Sequence, residues 1–181
     1  MIRIGANPIG WSNDDLQEIG GDTPLETCLA EAREAGIVGM EKGHKMPTDG
    51  AALKAKLAEF GHVFVGGWYS TELLRRSVAE ELEAAKAHIA MTKGAGAEVI
   101  ILAETSNAIH GDRGKPLSER PRLSLAEWKA FGAKLTELAQ SLADQGLKPC
   151  YHHHMGTVVQ SEADIDRLMA HTKPPFLLLL D

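Results

Sequence analysis

Three consecutive histidines, His152-His153-His154, lie late in the chain, and Asp181 follows a wholly apolar run from Phe176 to Leu180. Imidazole and carboxylate together hold divalent transition metals such as Mn, Co, Fe or Zn. Imidazole also moves protons near neutral pH. Glu104 adds a second carboxylate after the run Val99-Ile100-Ile101-Leu102-Ala103. Side chains alternate between the two faces of a strand. If these runs are strands, Cys150, His152 and His154 share a face, as do Leu177, Leu179 and Asp181, and Ile100, Leu102 and Glu104. With those faces inward, His152, His154, Asp181 and Glu104 form one cluster that suits a metal. An exposed polar strand end and a solvated last residue account for the same histidines and aspartate, and a turn cap accounts for Glu104.

The elements that must position these groups alternate regularly. Strand-like runs fall at 2–7, 38–42, 62–68, 97–104, 148–154 and 176–181, and helix-like stretches at 24–35, 49–60, 77–93, 124–145 and 161–171. Such alternation predicts βαβ units and a parallel sheet. Thr23-Pro24-Leu25-Glu26, Ser77-Val78-Ala79-Glu80 and Ser124-Leu125-Ala126-Glu127 each read as a capping box at a helix start. Gly36, Gly61 and Gly146 follow helical patterns, where a left-handed residue ends a helix. Val78, Leu82, Ala85 and Ile89 make one apolar stripe, and Leu125, Trp128, Phe131, Leu135, Leu138 and Leu142 make another. Val99 to Leu102 and Phe176 to Leu180 are apolar on both faces, as a parallel strand covered on both sides should be. Residues 106–123 form one long aperiodic loop, a length that in compact domains marks function or disorder.

Parallel α/β proteins place their sites at the C-terminal ends of strands. Those ends read Asn7, Glu41, Gly67-Trp68-Tyr69, Glu104, His152-His153-His154 and Asp181, while the strand bodies are apolar or small. Trp68 and Tyr69 are either core or the wall of a sugar pocket. No dinucleotide fingerprint, P-loop or nucleophile elbow occurs. The formal charge of −6 opposes binding to nucleic acid. The longest apolar run, Phe176 to Leu180, is too short for a membrane span, and no signal peptide is evident. Two cysteines, Cys28 and Cys150, make no disulfide framework and read as buried thiols. A cytoplasmic location is the expectation.

Ile4-Gly5-Ala6-Asn7-Pro8-Ile9-Gly10-Trp11-Ser12-Asn13-Asp14-Asp15 resembles the opening of the myo-inosose-2 dehydratases, and Gly20-Gly21-Asp22-Thr23-Pro24-Leu25-Glu26 continues the likeness. So do Gly66-Gly67-Trp68-Tyr69-Ser70, Ala103-Glu104-Thr105, Ile109-His110-Gly111-Asp112-Arg113 and Tyr151-His152-His153-His154-Met155-Gly156-Thr157-Val158-Val159. The resemblance implies an α/β fold, a TIM (β/α)8 barrel of the xylose-isomerase-like type. It further implies dehydration of 2-keto-myo-inositol to a trihydroxycyclohexane-1,2-dione, supported by Mn or Co. In that superfamily the fifth strand offers a Glu-Asn-His pattern, with the Glu on the metal. His152 stands at the Glu position, His154 at the His position, and Asp181 ends a strand like the next ligand strand. His152 and Asp181 are then the expected metal ligands, and His154 and Glu104 the expected proton carriers. Asn7, Glu41, Lys45, Trp68 and His153 are expected to contact a cyclitol ketone.

Two departures stand out. Glu41-Lys42-Gly43-His44-Lys45 replaces the Glu-Leu-Gly-Asn-Lys usual at this point. A complete barrel takes about 250 residues, so residues 1–181 are expected to be a single domain, the N-terminal portion of a barrel with six of its strands. Two other readings stay open. One is a half-barrel that needs a complementing chain or a homo-oligomer, because open sheet edges invite association. The other is a sugar isomerase or epimerase of the same superfamily, which shares the enediolate step.

Overall fold

The computed structural model describes residues 3–180. Strands β1 (Gly5–Ala6), β2 (Gly39–Glu41) and β3 (Val63–Gly66) form a three-stranded parallel sheet in that order. Strands β4 (Trp68–Thr71), β5 (Val99–Glu104), β6 (Lys148–Tyr151) and β7 (Leu177–Leu178) form a four-stranded sheet, with β6 and β7 parallel. Between them run helices α1 (Leu25–Glu34), α2 (Gly50–Glu59), α3 (Val78–Gly94), α4 (Leu125–Ala143) and α5 (Glu162–His171). The chain divides into two compact units, Met1–Trp68 with Ala87–Val99, and Tyr69–Lys86 with Ile100–Asp181.

One expected strand, 62–68, is two. Gly66 sits at φ +154°, where a Cβ is poorly tolerated, and the β2–β3 register slips between Met40 and Glu41 opposite it. A Cβ on Gly67 would lie 2.7 Å from Cβ of Lys42. The resulting bulge ends β3, and the chain starts β4 one residue later.

Two of the three capping boxes form as expected. At Ser77 the amide donates to Glu80 at 2.8 Å, and Ser124 caps α4 reciprocally with Glu127. The box at Thr23 does not form: Pro24 is the cap, with no side-chain bond, and Glu26 pairs with Lys56 at 2.8 Å instead. Gly36, Gly61 and Gly146 all take positive φ, as helix stops require.

In the first unit Leu29, Met40, Leu53 and Leu57 are fully buried, with Phe64 and Cys28 beside them. Each such leucine contributes about 1.5–3 kcal/mol by leaving water. The second unit is centred on α4 and β6. Ring centroids step from Trp128 to Phe131 at 6.4 Å, to Tyr151 at 6.3 Å and to Phe176 at 5.9 Å. The α4 stripe starts at Trp128, because Leu125, the first helical residue, is 64% exposed. The run 176–180 is not covered on both sides: Leu177 is 45% and Leu180 94% exposed. β7 is a two-residue strand at the edge of its sheet, so only Phe176 reaches the core. Among the described residues, no helix is long and apolar enough to cross a membrane.

Candidate active site

The second unit holds Glu104, His110 and the run His152-His153-His154. β5 is buried along nearly its whole length and ends on Glu104, which is 0% exposed. Its Oε2 accepts from the Thr71 hydroxyl at 3.0 Å and the Leu73 amide at 2.8 Å. Its Oε1 accepts from the Ser106 amide at 3.0 Å and from the Ser106 hydroxyl. The loops that follow β4 and β5 are therefore fastened to one carboxylate. Burial pushes its pKa up, and the donors from Ser106, Thr71 and Leu73 offset this only in part. The Glu104 amide donates to the Tyr151 hydroxyl at 3.3 Å. Full burial holds that phenol well above its usual pKa, so it stays protonated.

β6 ends at Tyr151, earlier than the expected 154. The His152 amide still donates to Leu102 O at 2.8 Å, but His153 and His154 lie on the following turn. Strict face alternation stops there. The rings nevertheless gather: His152 and His153 stack at 5.9 Å, His152 and His154 lie at 5.6 Å, and His110 meets His154 edge-on at 4.9 Å. Nδ1 of His154 faces Met155 O at 3.0 Å. A carbonyl only accepts, so this nitrogen carries hydrogen and Nε2 carries the lone pair of the neutral ring. Nδ1 of His153 is buried without a hydrogen-bond partner.

The first unit holds Asn7, Glu41, Lys45 and Trp68. Asn7 follows β1 and donates to Oε2 of Glu41, the last residue of β2, at 2.8 Å, while its own carbonyl accepts from Ile9 N at 2.9 Å. Lys45, expected to contact substrate, holds backbone here. Its ammonium donates to the carbonyls of Gly20 at 3.1 Å, Gly21 at 2.7 Å and Thr23 at 2.5 Å. Lys42 donates to Gly43 O at 2.7 Å and Met46 O at 3.1 Å, and burial lowers its pKa. His44, the residue that departs from the usual Asn, pairs with Asp14 at 2.6 Å and lies 3.4 Å from the Ser12 hydroxyl. Trp68 is half-buried at the start of β4.

Among the described residues, no three His, Cys, Asp or Glu converge as metal ligands. Asp181, the expected partner of His152, lies outside the described residues. The described residues alone therefore do not supply a metal's ligand set. A cleft of about 380 Å³ opens in the second unit beside Ser106, Asn107, Arg122 and Lys134, and none of the expected site residues lines it.

Sequence reasoning left out Thr71, Ser106, His110, Arg120 and Asp164. His110 stood within a quoted likeness but on an aperiodic loop. Arg120 and Asp164 pair across 44 positions, and no local pattern announces that.

No family model matches the chain. The chain is 45% identical over 180 residues to the rhizopine catabolism protein MocC of Rhizobium meliloti and 39% to an inosose dehydratase of Geobacillus thermodenitrificans. Each alignment covers 99% of this chain but only 55% and 60% of those relatives. Among solved structures, L-ribulose 3-epimerase superposes on 98% of this chain and 60% of its own (TM-score 0.65, 18% identity). A xylose isomerase-like TIM barrel protein of Mycobacterium smegmatis, in complex with magnesium, superposes on 99% of this chain and 64% of its own (TM-score 0.64, 15% identity). The chain therefore has the α/β fold of xylose-isomerase-like TIM barrels over the part it shares with them, and it is homologous over nearly its full length to proteins named inosose dehydratase.

Proposed function

We propose that this chain serves inositol catabolism as an inosose dehydratase, a hydro-lyase that removes water from 2-keto-myo-inositol to give a trihydroxycyclohexane-1,2-dione. The observation that carries the reading is the 35–45% identity to proteins of that function and of rhizopine catabolism over 180 residues. The relatives are longer than the shared segment. The activity is therefore proposed for a protein that also holds the rest of such a barrel, in this chain, in a complementing one or in a homo-oligomer.

A ring ketone acidifies the adjacent C–H. In the proposed reaction Nε2 of His154 accepts that proton, leaving an enediolate. The imidazolium then gives a proton to the departing β-hydroxyl, which leaves as water. An imidazole is suited to both transfers near neutral pH. Glu104 acts as an anchor: both its oxygens already accept from Thr71, Leu73 and Ser106. Beside His154, His153 offers a ring face to the substrate; in the first unit Asn7 and Glu41 are joined to each other at 2.8 Å. A divalent metal, Mn or Co, belongs to the proposal, and the magnesium complex of one structural neighbour supports a divalent ion. The described residues supply His152 and no full ligand set, so no step above is routed through it.

The test is incubation with 2-keto-myo-inositol and manganese or cobalt, reading the absorbance of the conjugated dione and the loss of one water by mass. His154→Gln is expected to lower turnover by at least about 100-fold. Near-wild-type turnover of that variant would remove His154 from the proton path. A product of unchanged mass would identify an isomerase or epimerase instead.

A further inference from the structure

The long loop 106–123 is expected to be functional or disordered from its sequence. In the structure it holds the turn that carries His154. Near its end Arg120 turns inward and is 4% exposed at its side chain, facing Asp164 at 5%. Its Nη2 donates to Oδ2 of Asp164 at 2.5 Å, and its Nη1 donates to the carbonyls of Thr157 at 3.2 Å and Val158 at 3.4 Å. Asp164 lies in the first turn of α5 and also accepts from the Ser161 amide at 2.9 Å and hydroxyl at 2.6 Å. Arg120 thus joins three segments: its own loop, the turn 154–159 and the start of α5.

The turn it grips fixes His154. The Thr157 hydroxyl faces His154 O at 2.8 Å and Val159 O at 3.0 Å, and the His154 amide donates to Val159 O at 2.9 Å. The same loop touches the turn a second time. The Ile109 amide donates to Gly156 O at 2.9 Å. A Cβ on Gly156 would lie 2.8 Å from the His110 amide nitrogen, so the two backbones are in close contact. This places the His110 ring edge-on to His154.

We propose that Arg120 is a positioning residue for His154, fixing the proton-transferring imidazole through the carbonyls of Thr157 and Val158. The planar guanidinium reaches a carboxylate and two carbonyls at fixed angles, and a lysine ammonium at the same place has no such fork. The role as positioning for catalysis rests on the dehydratase reading; the mechanical part does not.

The experiment compares wild type, Arg120→Lys and the double variant Arg120→Met/Asp164→Leu. The double variant removes both buried charges together and so avoids an unpaired carboxylate. Amide hydrogen exchange of the chain is the first readout. Exchange at His154 is expected to quicken at least tenfold in both variants. The His152 amide, bonded to Leu102 of β5, should keep its wild-type rate. Unchanged protection at His154 would overturn the proposal. Loss of the whole far-ultraviolet helical signal in both variants would also overturn it, because Arg120 would then serve folding at large. Turnover of 2-keto-myo-inositol is the second readout: kcat is expected to fall at least tenfold with KM within twofold. A wild-type protein that holds the rest of such a barrel and shows no turnover, but the expected exchange pattern, would reject the dehydratase reading and keep the mechanical one.

Discussion

The amide of Leu73 donates to Oε2 of Glu104 at 2.8 Å, fastening the loop after β4 to the last residue of β5. The Ser106 amide does the same to Oε1 at 3.0 Å. Both oxygens therefore meet a backbone N–H, which cannot turn round to accept. Glu104→Gln must point its NH2 at one of these amides whichever way it flips. The expected loss is about 2–3 kcal/mol, in the range for a buried charged acceptor removed from its donors, read by urea unfolding at pH 7. Burial raises the Glu104 pKa in the fold. The folded state thus binds the proton more tightly than the unfolded chain. Apart from the donor bonds that Gln breaks, the stability that comes from proton binding is fully present below the unfolded pKa. It is lost as pH rises from there through the raised folded value. The Gln variant should lack that slope. A variant as stable as wild type at pH 7 would mean the two loops are held by other contacts.

Asp164 titrates in the opposite sense. Burial raises its pKa, but the Ser161 hydroxyl and amide, the Gln160 amide and the Arg120 charge outweigh it, and the net shift is downward. A depressed folded pKa gives stability that is present above the unfolded value and is lost as pH falls through the folded one. The stability gap between wild type and Asp164→Asn should therefore shrink as pH is lowered below about 4, the ordinary aspartate range. A gap that stays constant down to the acid limit would mean that the carboxylate's charge does not matter to the pair with Arg120.

Lys45 separates a structural from a substrate role. Its ammonium holds three carbonyls of the segment 20–23. Lys45→Met is expected to cost about 1.5–3 kcal/mol, as for hydrogen bonds to a charged group, seen as a lowered urea midpoint with unchanged slope. Unchanged stability together with a raised KM would return Lys45 to the substrate contacts suggested by its sequence position.

Much of this was legible in the sequence, and the limits have physical causes. The boxes at Ser77 and Ser124 and the stops at Gly36, Gly61 and Gly146 form where written, since each satisfies backbone groups of its own helix. Thr23 has the same local pattern and fails. Glu26 finds Lys56 from another helix, and the Thr23 amide that it would have taken donates to Gly20 O at 3.0 Å. Both halves of the local box are thus bonded elsewhere. The β3–β4 break depends on Gly66 reaching φ +154° opposite a register slip, and periodicity over 62–68 carries no sign of either. Strand alternation puts His152 and His154 on one face and His153 on the other; the His152 and His154 rings do meet, but beyond the end of β6, and His153 and His110 join them on a turn. That turn is shaped by Arg120, which lies more than thirty residues upstream in a segment with no pattern to read.

Gly156 offers the most local test of that arrangement. It adopts φ +73°, and a Cβ there would lie 2.8 Å from the His110 nitrogen and 3.0 Å from its Cα. Both are backbone atoms that no rotamer change can move. Gly156→Ala therefore combines left-handed strain of about 1–2 kcal/mol with a push on the loop. The expected result is a total loss of about 2–5 kcal/mol in urea unfolding, since overpacking costs about 1–3 kcal/mol. The contact between the His110 and His154 rings, 4.9 Å between centroids, should weaken with it, read as a lost ring-to-ring nuclear Overhauser effect. Asp112, at the exposed tip of the same loop, supplies the control, because Asp112→Ala should leave that ring contact in place. If Gly156→Ala keeps the ring contact at full strength, the loop yields to the methyl group, and the placement of His110 depends on some contact other than Gly156.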